Sequence, residues 1–77
     1  MKVLTLYSRP GCHLCDCLEG ELQPLIEGRA ELRVVDVDRD VELKKRYGLR
    51  VPVLVGGESE LPAQPLDPVA VEAFLAA

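Results

Sequence analysis

All three cysteines of this chain lie between Cys12 and Cys17. A chain of 77 residues buries only about 60–65 % of the surface its unfolded form exposes. Small secreted domains make up that deficit with disulfides that close long loops. Cysteines this close together close no long loop, and an odd number cannot complete a disulfide framework. The fold must therefore stand on a regular packed core, which leaves the cysteine cluster free for chemistry. Hydrophobic residues make up 48 % of the chain, aromatics only 4 %, and tryptophan is absent, so Leu, Val and Ala must build that core. The length supports one domain, residues 1–77, and no second core.

Hydrophobic periodicity divides the chain into alternating elements. Lys2 to Tyr7 is rich in β-formers, apolar on both faces, and stopped by Pro10-Gly11; it reads as a central strand. From His13 to about Glu27, Leu14, Leu18, Leu22 and Leu25 recur at helical spacing as one apolar stripe. Pro24 should kink or end that helix, and Gly28 suits a stop. Glu31 to Val37 is a second strand with Leu32, Val34 and Val35 as its apolar residues. Asp38 and Asp40 are candidate N-caps for a short helix over Val41–Tyr47, closed by Gly48 in a left-handed C-cap. Val51 to Val55 is a third strand, Gly56 to Ser59 a turn, and about Glu60 to Gln64 an edge strand limited by Pro62 and Pro65. A last helix begins with Asp67 as N-cap and Pro68 at the first position, and presents Val71, Phe74 and Leu75 on one face. The order is β-α-β-α-β-β-α, an α/β chain with a four-stranded mixed sheet. Its first two strands are parallel through the helical crossover, and its last two antiparallel.

Cys12-His13-Leu14-Cys15 falls where the first strand gives way to the first helix. A helix start presents unpaired N–H groups and partial positive charge, both of which favour a thiolate. Such sites lower a thiol pKa from about 8.5 to roughly 3.5–7.5. The two-residue spacer lets the second sulfur meet the first across one turn, so the pair can close and reopen a disulfide. Cys12, at the helix mouth, is the expected nucleophile, and Cys15, one turn in beside the apolar stripe, the resolving thiol. Arg9 and His13 are candidate positive charges beside the thiolate; as alternatives, they are a surface charge and a solvated loop residue. Cys17 lies on the flank of the stripe, either as a silent small residue or as a third exchanging thiol.

The stretch Leu6-Tyr7-Ser8-Arg9-Pro10-Gly11-Cys12-His13-Leu14-Cys15 resembles the active-site strand and loop of glutaredoxins. Tyr47-Gly48-Leu49-Arg50-Val51-Pro52-Val53-Leu54 resembles the later segment that carries a cis-proline in thioredoxin-fold proteins. Together the two span nearly the whole chain. The resemblance implies a thioredoxin-like fold and a thiol–disulfide oxidoreductase acting through Cys12 and Cys15. It also implies a cis Val51–Pro52 peptide that docks the substrate cysteine beside Cys12, with glutathione as co-substrate rather than a tightly bound cofactor. The expected partners are disulfide-containing or glutathionylated proteins, with glutathione or a reductase as electron donor. The chain departs from the family in placing Gly56-Gly57 at the hairpin, ahead of the last-helix entry where a Gly-Gly-x-Asp segment binds the amino-acid end of glutathione. Asp67 stands at that entry, to meet an ammonium group or simply to cap the helix. Leu14 occupies the second spacer position, where a Tyr is common in the family.

Other functions fit less of the sequence. A net charge of −4 supplies no positive excess to displace counterions, so no nucleic-acid partner is expected. Lys44-Lys45-Arg46 reads as the wet face of the short helix. The apolar run Met1–Tyr7 is too short for a signal peptide or a bilayer span, so no membrane association is expected and the cytoplasm is the expected location. Asp36, Asp38 and Asp40 lack the ligand count and the glycine and glutamate of a calcium loop. No structural metal site is expected, because a second ligand pair is missing. A metal or iron–sulfur carrier that uses the same cysteines, with a cluster shared between two subunits in place of a second ligand pair, is the main alternative, and a non-catalytic adaptor the other. Nothing in the sequence demands an oligomer, so a monomer is expected.

Overall fold

The computed structural model describes residues 1–77. Its elements run β1 (Lys2–Ser8), α1 (His13–Ile26), β2 (Ala30–Asp36), a single 3-10 turn (Val37–Arg39), α2 (Val41–Tyr47), β3 (Val53–Gly56), β4 (Ser59–Leu61) and α3 (Pro68–Ala76). The strands form one mixed sheet in the order β2-β1-β3-β4. The doubly apolar β1 is central, parallel to β2 with Leu4 opposite Leu32 and Ser8 opposite Asp36. It is antiparallel to β3, with Leu6 opposite Leu54 and Tyr7 opposite Val53. The hairpin of β3 and β4 pairs Gly56 with Ser59.

Alternation along β1 sends Leu4 and Leu6 to one face. There they join Leu18, Leu22 and Ile26 of α1, Leu54 of β3 and Val71 of α3 in the main core. Tyr7 faces the other way and stacks on Tyr47 of α2, with ring centroids 4.4 Å apart. The two layers are thus unequal: two helices cover one face and the short α2 covers part of the other. No helix is long and apolar enough to cross a membrane.

Four local expectations are corrected. The buried stripe of α1 is Cys15, Leu18, Leu22 and Ile26, while Leu14 is 52 % exposed. Packing of Leu18, Leu22 and Ile26 against Leu4, Leu6 and Leu54 sets that face, and Leu25 is partly buried at its edge. Of the two effects expected of Pro24, ending the helix is excluded, since α1 continues to Ile26 before Gly28 (φ 75°) reverses the chain. Val34 is 49 % exposed because β2 is an edge strand, and Val37 leaves the strand to enter the 3-10 turn fully buried. Gly48 is right-handed (φ −56°, ψ −34°), so its glycine serves space rather than a left-handed cap. A side-chain carbon there would run into the Lys44 carbonyl and press on the Arg9 guanidinium. The strand bounds also shift: β3 begins at Val53, past Val51 and Pro52, and β4 ends at Leu61, while Gly56 and Ser59 pair with each other as strand residues and leave only Gly57 and Glu58 to the turn.

Candidate active site

The site begins where β1 ends. Ser8 is buried, and the chain then turns through Arg9-Pro10-Gly11-Cys12, closed by the Cys12 N–H donating to the Arg9 carbonyl at 3.3 Å. Proline's fixed φ suits the first central position of such a turn, and Gly11 (φ 79°) supplies the positive φ at the second. The turn delivers Cys12 to the N-cap of α1 with an extended backbone (φ −84°, ψ 102°). Its carbonyl accepts the first helical bond, from the Asp16 N–H at 3.1 Å. Its Sγ accepts the Cys15 N–H at 3.2 Å.

Cys12 and Cys15 are joined as a disulfide, with Cα atoms 5.2 Å apart. That separation lies within the usual range for bridged residues. The two sulfurs differ in surroundings: Cys12 is half-buried at the surface, and Cys15 is 1 % exposed on the core side of α1. On reduction, the sulfur at the cap is the one that meets both a main-chain N–H and the positive end of the helix.

The other expected residues divide by position. Val51 and Pro52 lie one step past the Tyr7–Val53 pair, at the end of the sheet where the cysteine turn begins. Pro52 is buried there and the Val51–Pro52 peptide is cis, as is Gln64–Pro65. Arg9 directs Nη2 to Asp38 Oδ1 at 2.9 Å, tying the turn to the 3-10 segment, and its Nε is buried without a partner. His13 is exposed, with Nε2 3.5 Å from the Sγ of Cys17, so it faces the third cysteine. Cys17 is free and exposed. Asp67 caps α3, its Oδ1 accepting the Val69 N–H at 2.9 Å. It follows Leu66, which with Pro65 lines a groove of about 460 Å³ beside Leu14, Cys17 and Leu18.

Sequence reasoning missed the Arg9–Asp38 tie and the Tyr7–Tyr47 stack, which bring together residues far apart in the chain. The His13–Cys17 contact was within reach, since residues four apart share a helix face. No group of three or more His, Cys, Asp or Glu side chains is disposed to hold a metal ion.

Comparison with known proteins agrees with this geometry. The glutaredoxin-like domain family (DUF836) matches residues 3–76. Among solved structures, that of the protein XcR50 from X. campestris is 41 % identical, with 96 % of this chain and 97 % of that one covered and a TM-score of 0.69. Oxidised mitochondrial thioredoxin 3 from Saccharomyces cerevisiae is similar at 19 % identity, covering 97 % of this chain and 76 % of that one with a TM-score of 0.69. A malarial protein at 17 % identity covers 99 % and 94 %, with a TM-score of 0.60. The last two share the fold with this chain. A comparison with curated proteins found no match. The four-stranded mixed sheet and three helices form a thioredoxin-like fold, and the chain belongs to the glutaredoxin-like domain family (DUF836).

Proposed function

We propose that this domain is a thiol–disulfide oxidoreductase in which Cys12 attacks and Cys15 resolves. The observation that carries the reading is the placement of the Cys12 sulfur at the N-cap of α1, accepting the Cys15 N–H, while Cys15 is buried beneath it. In the reduced domain the Cys12 thiolate attacks one sulfur of a substrate disulfide. A Cys12–substrate bond forms, and the other substrate sulfur leaves as a thiolate and takes up a proton. Cys15 then loses its proton and attacks the Cys12 sulfur. The Cys12–Cys15 disulfide closes, the second substrate sulfur departs, and two electrons have passed to the substrate.

Val51 and Pro52, at the same end of the sheet, offer their backbone to the substrate cysteine. Arg9, His13 and Asp67 are the charged or polar groups proposed to contact the substrate or glutathione. The proposed substrates are disulfide-bearing or glutathionylated proteins in the cytoplasm. Glutathione or a reductase returns the domain to the dithiol, and the domain acts as a monomer without a tightly bound cofactor.

The test runs insulin reduction beside reduction of a small glutathione mixed disulfide. Cys12→Ser should abolish both activities. Cys15→Ser should trap a mixed disulfide on Cys12 that is visible by intact mass. Undiminished turnover by Cys12→Ser would end the reading.

A further inference from the structure

Six of the nine basic side chains are engaged within the fold. Arg9 pairs with Asp38, Arg29 with Glu72, Arg33 with Glu31, Arg39 with Asp36 and Arg50 with Glu60. Lys2 donates to the main-chain carbonyls of Phe74 and Ala77. The remaining cations, Lys44, Lys45 and Arg46, are consecutive, exposed and free of ion pairs, although Glu42 lies one turn earlier on the same helix. In a chain of net charge −4, uncompensated positive charge is therefore concentrated at one place, the last turn of α2.

The helix dipole favours cations at that position, but it does not account for Leu49. This leucine is fully exposed at the tip of the turn that follows, where the Arg50 N–H donates to the Tyr47 carbonyl at 2.8 Å. The turn also abuts the cysteine loop. Tyr47 stacks on Tyr7 at the end of β1, and Gly48 packs against the guanidinium of Arg9, whose carbonyl holds the Cys12 N–H. Only Tyr47 and Gly48 separate the three unpaired cations from the exposed Leu49 in the chain, and an apolar side chain with charge close by, beside a disulfide loop, suits a protein contact surface.

We infer that Lys44, Lys45, Arg46 and Leu49 form the docking surface for an acidic segment, carrying an apolar residue, of a disulfide-bearing partner protein. The inference rests on the oxidoreductase reading and adds the chemical class of its substrate. A nucleic acid fits less well, because the patch carries only these unpaired cations beside Asp40 and Glu42 and the rest of the surface is predominantly acidic. Complementary charge of this kind acts mainly on encounter and partner choice.

The experiment uses a fluorescent, cysteine-free peptide in which Asp and Glu flank one Leu, and a twin with Lys in place of the acids. Anisotropy with the wild-type domain should show tighter binding of the acidic peptide at low salt, the preference shrinking as salt is added. Lys44→Gln, Lys45→Gln and Arg46→Gln combined should weaken that binding by about three- to tenfold, as expected for three exposed charges. Leu49→Ser should weaken it at every salt concentration. Equal binding of the two peptides by the wild type overturns the inference whether or not the variants fold. Wild-type binding by the triple variant overturns it too, and so does an oligonucleotide that competes as well as the acidic peptide. Reduction of bis(2-hydroxyethyl) disulfide is measured in parallel. Its absence in the wild type would defeat the oxidoreductase reading, while the peptide data would still decide the docking surface.

Discussion

Cys12 combines two roles, as N-cap of α1 and as the outer half of the disulfide. The sequence shows why: Pro10-Gly11 makes the turn, and the helical pattern begins immediately after it. With the disulfide reduced, iodoacetamide at mildly acidic pH should modify Cys12 before Cys15 and Cys17, as peptide mapping would read. Preferential labelling of Cys15 would reverse the proposed roles. Two glycines offer an opposed pair of predictions. Gly48→Ala places a carbon against the Lys44 carbonyl and the Arg9 side chain, and should lower stability in urea by about 1–3 kcal/mol. Gly20 sits inside α1 with nothing within 4 Å of an added carbon, so Gly20→Ala should raise stability by about 0.5–1 kcal/mol. The same urea curves measure both.

Among the elements, α1 shows where the sequence speaks and where it stops. Its extent was legible because Leu18 and Leu22 recur at helical spacing between a Pro-Gly turn and Gly28. Its rotation was not. Leu14 and Leu25 fit that spacing as well as Cys15 and Ile26, and packing against Leu4, Leu6 and Leu54 of the sheet chooses between them. Leu22→Ala should therefore cost about 2–5 kcal/mol, as for other fully buried leucines. Leu14→Ala should cost far less, since that side chain is half in water. Similar losses at the two positions would mean that the helix is rotated otherwise. The exposure of Val34 was not legible for a related reason, since strand periodicity identifies two faces but not whether a strand lies at the sheet's edge. The cysteine pair could be placed from its own neighbours. The Arg9–Asp38 tie could not, because it depends on how two distant segments dock.

At the scale of the whole molecule, a Cα radius of gyration of 11.8 Å is close to the roughly 11.5 Å expected of a compact chain this long. Part of the docking of α3 is electrostatic. The Arg29 guanidinium meets Glu72 through two hydrogen bonds of 2.8 Å each. The hydrogen bond from Arg29, aided by its charge and opposed by desolvation, holds the Glu72 carboxyl below its ordinary range. A depressed carboxyl pKa stabilises the fold above the unfolded value, about 4.3 for glutamate, and that contribution fades as the pH falls through the folded value. Glu72→Gln should thus lower Tm slightly at neutral pH, and the gap should close in acid; a gap that widens in acid would contradict the assignment. The position of Cys17 has a practical corollary. While the other two sulfurs are bonded to each other, it is the single free thiol, and it is exposed on α1. The oxidised domain should accept one maleimide per chain, which allows it to be immobilised in a uniform orientation. Stored in air without reductant, it should join in covalent pairs that dithiothreitol separates.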